Sequence, residues 1–282
     1  MRLPTLACLR HAAVAAALLA SALAAPAQTA ATETWRLQAA LPSPWGAPLG
    51  TGLPAGARLH LAARSVDGPA PLRCTGARHQ FIRQPAEGLF EGRLPAPAAA
   101  AAAGLGLPAG GGITQRITCA NGSFDLHHDG AGRAWLGLDG RVLVWQRDTV
   151  AATPEASVQA LLLQHFAGNM AWTPAAIDAR SPWLARAFTD RLRLWLDEAG
   201  RADEPPAFDG DPFTDSQEAP EAFTLLPAQV RGDRAEVPVR YSGPGPARWQ
   251  VTLLLRRIDG RWLVDGTRLR DGTPLASLLP TR

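Results

Sequence analysis

Between Arg234 and Arg270 apolar and polar residues follow one another in three strand-like runs, RAEVPVRY, RWQVTLLLRRI and RWLVDGTRLR. In the first, Ala235, Val237, Val239 and Tyr241 share one face while Glu236, Pro238 and Arg240 share the other, the period of a half-buried strand. SGPGPA separates the first two runs and Asp259-Gly260 the last two. An Asp-Gly pair suits the left-handed dihedrals of a tight hairpin, so Thr252–Ile258 is predicted to fold back on Trp262–Leu269. The apolar face of such a sheet needs a cover. Helical spacing upstream can supply it. Thr153-Pro154-Glu155 is a helix start, with a capping hydroxyl and proline at the first helical position, and Val158, Leu161, Leu162 and Phe166 then form one face before Gly168. Thr173-Pro174 opens a short segment. Ser181-Pro182 opens a longer one, in which Leu184, Phe188, Leu192, Trp195 and Leu196 share a face until Gly200.

Before Asp148 the period is two. TWRLQAAL, ARLHLAARSV, RHQFIRQP, ITQRITC, SFDLHHD, RAWLGLD and RVLVWQRD are strand-length pieces, and Asn121-Gly122 and Asp139-Gly140 are hairpin signals. An Ala-rich run, PAPAAAAAAGLGLPAGGG, is either a brief helix or a linker. The predicted fold class is therefore α+β: an amino-terminal antiparallel β meander or small barrel, then carboxy-terminal helices packed on a curved antiparallel sheet. The change of period near Asp148–Thr153 divides the chain into a β-rich domain, 28–150, and an α+β domain, 151–282.

The first 27 residues carry the three parts of a secretory signal: Arg2 and Arg10, the apolar run AAVAAALLASALAA, and Ala25-Pro26-Ala27. Their removal leaves 255 of the 282 residues and lowers the formal charge from +3 to +1, because two arginines leave and no acid does. The protein is expected in the periplasm or beyond, with no stable membrane span after signal removal. The chain has no lysine, all 28 basic side chains being arginine, and no long single-sign run to track phosphates, which argues against a nucleic-acid partner. Cys74 and Cys119 remain in the mature chain, and an even count in an exported protein points to a disulfide between them.

His127-His128-Asp129 invites a metal reading. Adjacent strand residues point to opposite faces, so the two histidines cannot share an ion, and Asp125, His127 and Asp129 on one exposed face find no ligand from another strand. Polar decoration of a strand end is the reading adopted, and no metal or cofactor is expected. Asp209, Asp211 and Asp215 lack the spacing of a helix–loop–helix calcium site, with Pro212 in the way, and read as an ordered loop of Asx-turns. G-x-S-x-G, H-E-x-x-H, a P-loop and a dinucleotide glycine fingerprint are all missing.

TPEASVQALLLQHF, FDGDPFTDSQ, and RAEVPVRY followed by WQVTLLLRRIDGRWLVDGTRL carry a resemblance. Through them, residues 152–280 resemble the uncharacterised bacterial domain-of-unknown-function family numbered 3828. That resemblance implies the cone-shaped α+β fold named after nuclear transport factor two, with a pocket at the wide end of a curved sheet. The first half looks like another uncharacterised segment of exported bacterial proteins. Tyr241, His165, Asp211, Asp215 and Gln217 are the candidates to line such a pocket, and no motif gives any of them a catalytic role. Because the cone hosts enzymes and binding modules alike, the fold does not choose between them. The reading leans away from an enzyme, toward a non-catalytic exported module that binds a protein or envelope component. The alternative is a hydrolase, isomerase or dehydratase type of small-molecule enzyme using the cone pocket.

Overall fold

The computed structural model describes residues 32–46, 49–50, 52–120, 122–150, 152–200 and 208–280. The expected signal segment 1–27 and Asn121 lie outside them. The first half contributes β1 (Glu33–Pro42), β2 (Arg58–Ala62), β3 (Ser65–Asp67), β4 (Cys74–Thr75), β5 (Arg78–Gln84), α1 (Ala98–Gly104), β6 (Gly112–Cys119), β7 (Gly122–His128), β8 (Arg133–Leu138) and β9 (Arg141–Val150). Then follow α2 (Pro154–Ala167), α3 (Pro174–Arg180) and α4 (Arg186–Ala199). The chain finishes with β10 (Ala222–Leu225), β11 (Gln229–Arg231), β12 (Arg234–Ser242), β13 (Arg248–Ile258) and β14 (Arg261–Arg268).

The expected fold class is corrected by the sheet. The strands of both halves form a single fourteen-stranded antiparallel sheet in the order β14-β13-β12-β10-β5-β6-β7-β8-β9-β1-β2-β3-β4, with β11 beside β12. This is not a meander or barrel next to a separate carboxy-terminal layer of helices on its own sheet; the helices are few and short. The cause is β10, a strand that the pattern of apolar and polar positions does not announce. It pairs with β12 on one side, Phe223 opposite Tyr241, and with β5 on the other, Phe223 opposite Phe81. All four of its residues are buried. The Phe81 and Phe223 rings stack with centroids 4.8 Å apart and planes 5° apart, and Phe166 of α2 stacks on Phe223 at 5.4 Å. The largest apolar core accordingly takes Phe81 and Ile113 from the first half together with Leu162, Phe188, Val239 and Leu253 from the second. A second core surrounds Trp35, Leu59, Leu61 and Trp145, and a third joins Leu89, Phe90 and Ala102 to Trp135 and Val142.

Local signals did their local work. Ala235, Val237, Val239 and Tyr241 are buried on one face of β12. Asp259 and Gly260 turn β13 into β14 with φ of 49° and 77°, and Asp139-Gly140 turns β8 into β9 with 48° and 72°, both in the left-handed region that a two-residue hairpin requires. Thr153 caps α2, its Oγ1 accepting from the Ala156 N–H at 3.2 Å. The predicted start of the last helix is corrected. Ser181–Trp183 form one 3-10 turn, and Leu184 is extended because the sheet claims its backbone first. Leu184 bridges Val264 of β14 and the Ala185 N–H donates to the Val264 carbonyl at 2.8 Å, so α4 begins only at Arg186.

Cys74 and Cys119 form the expected disulfide, with Cα atoms 5.9 Å apart, tying the short edge strand β4 to the end of β6. No helix among the described residues is long and apolar enough to cross a membrane.

Two predictions test this framework. Phe223→Ala should cost about 3–5 kcal/mol of stability in chemical denaturation. In a double-mutant cycle with Phe81→Ala, a coupling of about 0.5–1.5 kcal/mol is expected from the stacked pair; additive losses would mean the joint is not held by those rings. Replacing Cys74 and Cys119 together by Ser should remove roughly 4 kcal/mol in the chain-entropy account of a 45-residue separation, and non-reducing peptide mapping of the parent should recover the linked pair.

Candidate functional site

Three of the five candidate pocket residues come together, at the centre of the largest core. His165 lies on the last turn of α2, Tyr241 on β12, and Asp211 in the segment between α4 and β10. His165 and Tyr241 are fully buried and Asp211 is 5% exposed. His165 Nε2 sits 2.9 Å from Asp211 Oδ2. The Trp172 indole donates to the same oxygen at 2.8 Å, while Asp211 Oδ1 accepts from the backbone N–H groups of Phe213 and Thr214 at 2.9 and 3.0 Å. Burial pushes the Asp211 carboxyl upward, but neighbouring His165, the Phe213 N–H and the Trp172 indole outweigh it and hold the pKa below the ordinary 3.8. Arg180 lies close by, its Nη1 donating to the Ala171 carbonyl at 2.8 Å and its guanidinium 4.9 Å above the Trp172 ring.

This centre is an anchor for the loop at 208–218. Trp195 Nε1 donates to the Phe208 carbonyl, the Tyr241 hydroxyl to the Phe213 carbonyl at 3.1 Å, and Trp249 Nε1 to the Thr214 carbonyl at 2.6 Å. Burial, and then the charge of Asp211, push the Tyr241 phenol well above 10, so the ring is a hydrogen-bond donor whose proton is already committed to the loop. The other two candidates face outward. Asp215, at φ 54°, accepts from the backbone N–H and Nε of Arg270 at 2.8 and 3.1 Å, and Gln217 donates to the Asp209 carboxylate at 2.8 Å. Both line a shallow concavity of about 470 Å³ with Glu218 and Arg270. Asp265, on β14, pairs with Arg256 at 2.9 Å. The candidate pocket is therefore split: a sealed polar centre behind, a solvated loop in front. The Asx-turn reading of the loop holds at Asp211, whose carboxylate caps the two following N–H groups.

The histidines of β7 are not surface decoration. His127 and His128 are each 2% exposed, with His79 of β5 at 1%. The opposite-face expectation holds: His128 packs edge-on against Trp35 at 5.5 Å, His127 against Phe90 at 4.5 Å. Both faces of this stretch are covered because the 3-10 segment Ala86–Gly92 lies over one of them. The hydrogen bonds select the tautomers. The Phe90 N–H donates to His127 Nε2 at 3.1 Å, so Nδ1 carries the proton toward Thr114 Oγ1 at 2.8 Å, and Thr114 donates on to Gln84 at 2.9 Å. His79 Nε2 donates to the Ala62 carbonyl, Gln115 donates to His79 Nδ1, and His128 Nε2 donates to Gln115 Oε1, each at 3.0 Å. Burial depresses His79 and His127 to about 4 and His128 to about 3. Among the described residues no three His, Cys, Asp or Glu side chains converge to hold a metal ion.

All nine tryptophans are buried or half-buried. Six lie under a guanidinium within 6.0 Å: Trp35, Trp45, Trp135, Trp172, Trp249 and Trp262, beneath Arg147, Arg93, Arg133, Arg180, Arg270 and Arg257.

The two polar centres predict separate acid responses. For the histidines the folded pKa lies below the ordinary 6.5, so the unfolded chain binds protons first and stability falls as pH drops from 6.5 to about 4. Each should add a slope of up to about 1.4 kcal/mol per pH unit over that window, and His79→Gln should flatten it in urea titrations; a level profile there would refute the buried neutral histidines. For Asp211 the folded pKa is depressed, so its contribution is full above 3.8 and fades only below it. Asp211→Ala should cost roughly 3–5 kcal/mol at neutral pH by stranding His165 and the loop N–H groups, with the gap from wild type narrowing below pH 3.8.

No family model, no curated protein and no solved structure matches the chain.

Proposed function

We propose that this protein is a non-catalytic exported module that binds a protein or another component of the cell envelope. The observation that carries the reading is the state of Tyr241, His165 and Asp211. These are the side chains that acid–base chemistry in the second half would need, and they are sealed from solvent and spent on holding a loop. General acid–base catalysis requires a group within hydrogen-bond reach of a bound substrate, and a fully buried tyrosine bonded to the backbone offers none. A disulfide between Cys74 and Cys119 supports export through an amino-terminal signal of 27 residues.

The test has two readouts. Fractionation of the native host should place the processed chain, with its disulfide intact, in the periplasm or medium; a chain that stays unprocessed in the cytoplasm refutes export. Purified wild type and Tyr241→Phe should both show no turnover of ester, ketosteroid and hydroxyacyl substrates above buffer. The substitution should cost about 0.5–1.5 kcal/mol, the worth of one buried hydrogen bond. Turnover lost on Tyr241→Phe in a stably folded variant would overturn the reading.

A further inference from the structure

Where β5 meets β10 the sheet leaves a cleft of about 590 Å³, within the size range of small-ligand sites and walled by both halves of the chain. Its apolar walls are Pro85, Pro108, Pro220 and Phe166, rigid groups that lose little freedom when a ligand settles on them. One side is bare backbone at Gly110–Gly112. A Cβ on Gly111, at φ +92°, would fall 2.1 Å from the Gln84 carbonyl oxygen, so only glycine allows the chain to pass there.

Its charges are one of each sign. Ile82 stands opposite Ala222, and the Arg83 N–H donates to the Glu221 carbonyl at 2.7 Å, so Arg83 and Glu221 are cross-strand neighbours. Both line the cleft and both are exposed. Opposite charges in that position usually pair, yet these two do not come within ion-pair distance. Arg83 Nη2 turns instead to Asn169 Oδ1 at 2.7 Å. Asn169, left-handed at φ 52°, belongs to the turn that ends α2, and its amide holds the guanidinium over the cleft. A guanidinium fixed by one hydrogen bond keeps its remaining donors free for a carboxylate, the planar partner that matches its fork. Glu221 is left to receive a cation. No histidine, cysteine or serine lines the cleft.

We propose that this cleft binds a short zwitterionic peptide, with its terminal carboxylate on Arg83, its terminal ammonium on Glu221 and its body against the prolines and Phe166. The proposal rests on the binding-module reading and names the ligand class of such a module. It is tested by calorimetry on the full mature chain with dialanine, N-acetyl-dialanine, dialanine amide and free alanine as probes. Dialanine should bind, and blocking either end should weaken binding at least tenfold. Arg83→Gln should weaken dialanine and erase the difference between the free and amidated peptide; Glu221→Gln should do the same for the acetylated one. Both side chains are exposed, so both variants should melt like wild type, which separates loss of the site from loss of the fold. Absence of dialanine binding at millimolar concentration by folded protein, equal affinity for blocked and free peptides, or free alanine binding as tightly as dialanine would each overturn the assignment. Any of those results removes this site alone, because location and turnover, which test the broader reading, do not depend on it.

Discussion

Four buried residues, Ala222–Leu225, decide what kind of molecule this is. β10 is buried on both faces and hydrogen-bonded on both edges, with β5 of the first half as one neighbour and β12 of the second as the other. With it in place the edges that each half would otherwise expose are satisfied, and Phe81, Phe223 and Phe166 form one aromatic stack running from β5 through β10 to α2. The position of α2 over the sheet, and with it the position of His165, follows from that stack.

The Asp211 centre is the second consequence. A loop crossing the mouth of a core brings backbone polar groups with it, and each must be met where water cannot reach. Here the aromatic side chains meet them: Trp195, Tyr241 and Trp249 each give a polar hydrogen to a loop carbonyl, and Trp172 gives one to the carboxylate that caps the loop's own N–H groups. Aromatic residues suit the task because each combines a large apolar body with one donor. Tyr241 and Asp211, two of the residues that suggested a pocket in the sequence, help to close it.

What could be read from the sequence was whatever depends on near neighbours. The alternation of β12, the Asp-Gly hairpins and the Thr-Pro helix start are properties of four to eight consecutive residues. The Cys74–Cys119 pair was legible from count and compartment. What escaped reading depends on distant residues. β10 is four residues long, buried on both faces and so without alternation, and follows a Pro-rich acidic stretch. His127 looked exposed because its cover, Ala86–Gly92, lies some forty residues earlier. Asp211 was one of three aspartates in a loop, and only the approach of His165 and Trp172 distinguishes it. Arg83 and Glu221 carry no motif at all; the register between β5 and β10 makes them neighbours.

The guanidinium–indole stacks have a practical corollary. A flat, delocalised cation can lie over an indole and still hydrogen-bond at its rim, as Arg180 does over Trp172, whereas an ammonium is a compact point charge. With all 28 basic side chains arginine, the chain carries no lysine amine. Acylating and glycating reagents that attack such amines find no side-chain target, and its positive charge does not titrate away through the alkaline range in which lysine-rich surfaces become neutral.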